Sequence, residues 1–283
     1  MGMKRIIIGS AGWRMKYGNS HRILSPEEIS KLIVYLESKN INCIDTASAY
    51  GDVEKIIFSK IYPDFKIDTK LSTFSSFKEF QALLDKKIDL PIESLYFHDP
   101  EIFNNFSAQA VQSFIDAVNK KGFNAGFSIY GKKDIRQNIK FFMNKPNKLQ
   151  APAHILDLTI LNEVIKLKLS PANINFRSFF ARGLFFLEDE RIKMALGAKY
   201  PKISLNFESL FGIPFTSINA QKISYSLINY ITDLDFGCVI GLNTIEEVNF
   251  FTKSCIAARE QNLDWSKIIT NSNKLIDIQE IKL

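Results

Sequence analysis

The sequence predicts an α/β protein, and its units match a single-domain (β/α)8 barrel running from residue 1 to 283. Three observations predict this. Short apolar strands alternate with amphipathic helices, the pattern of βαβ units and a parallel sheet. Eight such strands are separated by seven helical stretches, with no linker or low-complexity tract between them. Polar residues close several strands, and the C-terminal strand ends of a barrel share one face. A doubly wound open sheet uses the same local units, so periodicity alone leaves it open. Against it, Gly9-Ser10-Ala11-Gly12-Trp13 in the first βα turn is not the G-x-G-x-x-G fingerprint.

Ile6–Ile8 reads as the first strand. The first helix opens at Ser25-Pro26-Glu27-Glu28, where Ser25 suits the N-cap, Pro26 the first turn and Glu28 a capping box. Ile29, Leu32, Ile33 and Leu36 give it an apolar face. Strands follow at Asn42–Asp45, Phe65–Lys70, Leu95–His98, Asn124–Ser128, Leu149–Pro152, Asn173–Phe179 and Gly237–Gly241. Helices are expected at Val53–Lys60, Ser75–Lys86, Ala108–Lys120 and Lys133–Met143. Gly197–Asn219, with Pro201 and Pro214, is the part poorest in helix signals and reads as a loop over one barrel mouth.

Composition excludes several classes. No apolar run reaches the roughly 18–20 residues that cross a bilayer, and the N-terminal run is too short for a secretory signal. A soluble cytoplasmic protein without membrane or nucleic-acid partners is expected. The formal charge is +6, mostly from scattered single or paired basic residues. One denser segment, Lys132, Lys133, Arg136, Lys140, Lys145 and Lys148, reads as a solvated helix face or as a lure for an anionic ligand. The 24 phenylalanines are spread along the whole chain. Cys43, Cys238 and Cys255 lack metal-type spacing and are odd in number, which argues against a disulfide framework. Cys43 and Cys238 lie in apolar runs and read as buried, inert thiols. His21, His98 and His154 have no ligand-like spacing, so no metal is expected.

Asp45 closes the second strand, Tyr50 follows in the next turn, Lys70 closes the third strand and His98 the fourth. Taken singly, each has an ordinary role: a helix cap, a packed ring, a surface lysine, a turn residue. Together on consecutive strands they would converge in one mouth. Tyrosine is a poor acid, with an unperturbed pKa of about 10. An ammonium at Lys70 would lower it, Asp45 would hold Lys70, and His98 would fix a substrate oxygen beside Tyr50. The set suits protonation of a carbonyl oxygen as hydride reaches its carbon.

Ile44-Asp45-Thr46-Ala47-Ser48-Ala49-Tyr50-Gly51 resembles the D-T-A-x-x-Y-G signature of aldo-keto reductases. Asp68-Thr69-Lys70 resembles their T-K strand, and Phe97-His98-Asp99-Pro100-Glu101 their L-H-D-P-E variant. The resemblance spans about Ile6 to Phe251 and implies a catalytic tetrad at Asp45, Tyr50, Lys70 and His98. It also implies a nicotinamide cofactor, NADP or NAD, and a small-molecule carbonyl substrate. Ser128 and Gln150 fall where the family meets the nicotinamide carboxamide, with Ile129 replacing a frequent Asn. Arg177 takes the place of a stacking Tyr, where a guanidinium stacks or pairs with phosphate. Arg177-Ser178 followed by Gly183-Leu184 is similar to bacterial relatives linked to surface polysaccharides, which makes a sugar-related carbonyl thinkable. Gly241, Asn243 and Glu247 correspond to the adenosine end of the cofactor site. NADP-dependent members carry basic residues there, and an acidic Glu247 would oppose a 2′-phosphate. Two rivals stay open. One is a nicotinamide-binding regulatory protein with vestigial turnover. The other is a lyase or isomerase whose Lys70 forms a Schiff base.

Overall fold

The computed structural model describes residues 5–18, 22–60, 65–87, 90–143, 147–272 and 275–276. His21 and Lys145 lie outside them. Eight parallel strands close into a barrel in sequence order: β1 Ile6–Gly9, β2 Cys43–Asp45, β3 Lys66–Leu71, β4 Ile92–Phe97, β5 Asn124–Ser128, β6 Lys148–Pro152, β7 Ile174–Arg177 and β8 Gly237–Gly241. Closure is made by β1 against β8, with Ile8 opposite Ile240 and Gly9 opposite Gly241. The doubly wound alternative is thereby excluded. Among the described residues no helix is long and apolar enough to cross a membrane.

Helices cover the outside of the strands. α1 (Pro26–Ser38) starts as its sequence requires: the Ser25 hydroxyl accepts from Glu28 N–H and the Glu28 carboxylate accepts from Ser25 N–H. α2 is Val53–Lys60, α3 Phe77–Asp85, α4 Ile102–Asn105 and α5 Ala108–Lys120. The expected helix at Lys133–Met143 is two short ones, α6 (Lys132–Asn138) and α7 (Lys140–Met143). α8 (Thr159–Lys166) precedes β7, and α9 (Asp189–Leu196) follows it.

The expected loop at Gly197–Asn219 is largely helical. α10 runs Tyr200–Phe211, and α11 (Ser217–Asp233) begins after a short connector. Pro201 sits in the first turn, where no intrahelical N–H is needed, so it starts a helix instead of breaking one. Ile203, Phe207 and Phe211 form its buried stripe, and Gly212 closes it in the left-handed conformation. α12 (Ile245–Ala258) and α13 (Trp265–Asn271) complete the shell.

The phenylalanines, dispersed in sequence, gather in space. Phe80 of α3, Phe97 of β4, Phe114 of α5 and Phe127 of β5 form a chain of ring contacts on one side of the barrel. Such aromatic burial dominates core energetics. The basic segment does not form one face. Arg136 is paired with Glu163, while Lys148 opens β6 at the opposite end of the barrel from Lys132 and Lys133. Cys238 is buried and Cys43 and Cys255 are partly so. Burial raises all three thiols, Cys255 to about 12, as expected of inert cysteines.

Alternate strand residues face the barrel axis, and here the axis is polar where barrels usually stack branched aliphatics. Asp45, Lys70 and Gln150 meet near the C-terminal mouth. One step lower, Asn175 donates to Asp68 at 3.2 Å and to the Tyr96 hydroxyl at 3.1 Å. Below them, Asp68, Ser94, Asn175 and Gly237 line a cavity of about 390 Å³ at the N-terminal end.

Candidate active site

The turn after β2 carries Tyr50, and backbone hydrogen bonds pin it to β3. Thr46 N–H donates to the Asp68 carbonyl at 2.8 Å, Ser48 N–H to the Lys70 carbonyl at 3.1 Å, and Tyr50 N–H to the Ala47 carbonyl at 3.0 Å. That folds the phenol back over the mouth. Asp45 is the last residue of β2 and Lys70 the penultimate residue of β3, while His98 directly follows β4. The strand ends bring all four predicted residues together. Tyr50 and His98 meet edge to face with ring centroids 6.2 Å apart, and Lys70 Nζ lies 5.5 Å from the Tyr50 ring centroid.

Lys70 Nζ donates to both Asp45 oxygens, at 2.5 and 2.7 Å, and to the Thr46 carbonyl at 3.2 Å. The pair is almost fully buried. An ammonium has three donors, so this one is fully engaged. Gln150 adds a fourth contact, its Nε2 donating to Asp45 Oδ2 at 2.7 Å. A carboxylate only accepts, which fixes the orientation of the Gln150 amide.

The electrostatics depart from one expectation. The Tyr50 phenol is raised well above its ordinary value, first by burial and then by the Asp45 charge; Arg177 pulls the other way. The Lys70 donors face Asp45 and Thr46, so no hydrogen bond from the ammonium holds the phenol. Free Tyr50 is therefore held firmly protonated. The His98 imidazole is lowered, first by burial and then by Lys70, with Arg177 adding to the effect. Starting from about 6.5, it is neutral at neutral pH.

The other predicted positions surround this centre. Ser128 ends β5, is buried, and lies beside Gln150 in the sheet register. Gln150 Oε1 is buried without a hydrogen-bond partner among the described residues. Arg177 ends β7; it donates to the Ile129 carbonyl at 3.0 Å and to Ser178 Oγ at 3.2 Å, and lies 4.8 Å over the Tyr130 ring. Ser178 is left-handed at φ 68°. Gly241 ends β8 in the open, with nothing within 4 Å of where a Cβ would stand. Glu247 lies in the first turn of α12, which Thr244 caps, and its carboxylate accepts from Asn243 N–H at 2.7 Å and from Asn243 Nδ2 at 3.3 Å. Among the described residues no cluster of His, Cys, Asp and Glu is arranged to hold a metal.

Three loops wall the mouth. Tyr17, after β1, and Tyr130, after β5, both stand near Tyr50. Arg182, after β7, lies over the Tyr17 ring at 5.9 Å. A Cβ on Gly18 would collide with the Arg182 carbonyl oxygen, so the two loops touch backbone to backbone. Trp13 ties the β1 loop to β8, its Nε1 donating to the Leu242 carbonyl at 2.9 Å.

With this geometry the chain can be set beside solved structures. It superposes on an aldo-keto reductase from Bacillus halodurans with a TM-score of 0.60 at 17% identity, covering 95% of this chain and 96% of that one. Glycerol dehydrogenase from Gluconobacter oxydans gives 0.59 at 14% identity, covering 95% and 92%. An aldo-keto reductase from Brucella melitensis gives 0.53 at 15% identity, covering 96% and 93%. The chain has the aldo-keto reductase fold. No protein-family model and no curated protein matches the sequence.

Sequence reasoning missed several neighbours of this centre. The Gln150 contact to Asp45 crosses the barrel and has no local signal. Asp68, Tyr96 and Asn175 did leave one: each stands two residues before a mouth residue, Lys70, His98 or Arg177, and period two puts both on the axis. Tyr17 and Tyr130 lie in loops without periodicity.

Proposed function

We propose that this chain reduces an aldehyde or ketone with hydride from NADPH or NADH, or catalyses the reverse alcohol oxidation. The observation that carries the reading is the buried Asp45–Lys70 pair beneath Tyr50 and His98 at one strand-end mouth. When bound, a nicotinamide cofactor supplies the hydride. Tyr50 Oη gives its proton to the carbonyl oxygen as that oxygen gains negative charge. Neutral His98 donates a hydrogen bond that holds the oxygen in line. Lys70, fixed by Asp45, sits close enough to offset the phenolate charge that forms.

The residues present fit such a cofactor. The orphaned Gln150 Oε1 can accept from a carboxamide N–H, beside Ser128, and the open space at Gly241 lets a phosphate approach the backbone ahead of α12. Asn243 and Glu247 form the adenosine end in this reading. The Schiff-base rival is disfavoured because a nucleophilic amine needs a free lone pair, whereas Lys70 Nζ spends three donors on Asp45 and Thr46. Three free cysteines fit a reducing compartment, the cytoplasm.

Tyr50→Phe tests the assignment. It keeps the ring and removes the transferable proton, so turnover should fall roughly a hundredfold or more. Cofactor affinity, read by fluorescence titration, should stay near that of the wild type. Wild-type turnover in the variant would reject Tyr50 as the acid.

A further inference from the structure

The charges of the mouth do not cancel. Asp45 and Lys70 neutralise each other in a buried pair. His98 is kept neutral and Tyr50 protonated. Glu54, close by under the β2 turn, is paired with Lys87 at 2.5 Å, and Asp52 with Arg14 at 2.7 Å. Arg177 and Arg182 then carry positive charge with no ion pair among the described residues; Arg182 rests on Tyr17, and Asp99, which acts on His98, accepts from Glu101 N–H. The hydrogen bonds of Arg177 go to neutral oxygens, the Ile129 carbonyl and Ser178 Oγ. The guanidinium is half-buried and seated on Tyr130, so its position is fixed before any ligand arrives. It acts on both proton-handling groups, drawing the Tyr50 phenol down and helping to keep His98 neutral.

A preorganised, partly desolvated guanidinium without an anion is an incomplete ion pair. Sequence placed Arg177 with the cofactor. It ends β7 at the same strand-end mouth as Tyr50 and His98, where the carbonyl must lie, and is held there on the Tyr130 ring. We propose that Arg177 binds an anionic group, carboxylate or phosphate, on the carbonyl substrate itself, so that the enzyme acts on acidic aldehydes or ketones in preference to neutral ones. This rests on the carbonyl-reductase reading above and names its substrate class. Exposed Lys132 and Lys133, two and three residues beyond Tyr130, put further positive charge near the same rim and would draw such substrates in.

The test compares matched substrates with the full chain: 4-oxobutanoate against butanal for the carboxylate, and glyceraldehyde 3-phosphate against glyceraldehyde for the phosphate. A charge-assisted contact of this kind is worth about tenfold or more. At least one anionic member should therefore exceed its neutral partner in kcat/KM by that factor. Arg177→Gln should bring the ratio close to one, and Arg177→Lys should restore part of it. Equal kcat/KM within both pairs overturns the inference while leaving carbonyl reduction intact. So does an Arg177→Gln variant whose affinity for NADPH and NADH falls tenfold with the substrate ratio unchanged, since the cation would then serve the cofactor phosphates. Calorimetry with succinate and glycerol 3-phosphate separates this proposal from the one it rests on. If no aldehyde is consumed at all, carbonyl reduction fails. The anion site still stands if either compound binds wild type and not Arg177→Gln, and falls if neither binds.

Discussion

Asp45 and Asp68 are register partners on adjacent strands, both buried on the barrel axis, and their surroundings differ sharply. Asp45 is met by an ammonium and an amide, with Lys70 and Gln150 donating to it. Asp68 is met by neutral groups, the Asn175 amide and, at 3.5 Å, the Tyr96 hydroxyl. Burial then dominates and pushes the Asp68 carboxyl up to about 6, with the Asp45 charge adding to the effect. Two identical side chains are thus given different tasks by one feature, a lysine two residues further along β3. The upper layer holds a carboxylate bound to an ammonium; the lower layer holds a carboxyl that burial raises to about 6.

The sharpest way to break this contrast is Lys70→Met. It leaves a buried Asp45 without its cation, which costs about 3–5 kcal/mol. Urea unfolding should show a loss of that size. Turnover should fall too, with little further loss in a Tyr50→Phe background, since residues acting as one unit are not additive. Stability like that of the wild type would mean that Asp45 takes up a proton easily and that the two layers are alike after all.

Asp68→Asn should do the opposite. Between the unfolded value near 3.9 and about 6, folded Asp68 keeps a proton that the unfolded chain has released. The folded state binds more protons there, so stability falls as pH rises through that window, by about 3 kcal/mol in all. The asparagine variant lacks this limb. Its stability relative to wild type should improve steadily from pH 4 to pH 7 in parallel thermal melts. A constant difference across that range would place Asp68 among ordinary carboxylates.

The smallest effect is expected at the rim, where solvent screens what the axis concentrates. Glu247 is exposed, and its carboxylate is already engaged with Asn243. Glu247→Arg should shift the ratio of NADPH to NADH affinity towards NADPH by about 1 kcal/mol, or several-fold. Dissociation constants for both cofactors decide it. A hundredfold preference for NADPH in the wild type, unchanged by the substitution, would remove Glu247 from the cofactor site.

The same contrast explains what could be read in advance. Polar residues at strand ends are conspicuous, because an apolar run of strand length gives no reason for Asp45, Lys70 or His98. The lower layer was hidden by its neighbours: Asp68 reads as one more polar residue in Asp68-Thr69-Lys70 until the barrel closes and brings Asn175 across to it. Tyr50 shows a second limit. Chemical type correctly suggested that an ammonium would stand near the phenol, but the direction of the shift was set by burial and by the Asp45 charge. The segment around α10 failed for a local reason. Pro201 carries the same letter whether it ends a helix or begins one, and only the buried stripe of Ile203, Phe207 and Phe211 distinguishes them.

Barrels are often regarded as a constant frame carrying eight interchangeable loops. The contact of Gly18 with the Arg182 backbone makes two of those loops a single part. The β7 loop reaches that point through left-handed residues at Ser178, Ala181 and Arg182, each unfavourable for a side-chain-bearing residue. It can pass there only because position 18 has no side chain. Grafting either loop alone from another barrel would lose the fit on both sides. For anyone recombining this scaffold, the segments after β1 and β7 should be exchanged together.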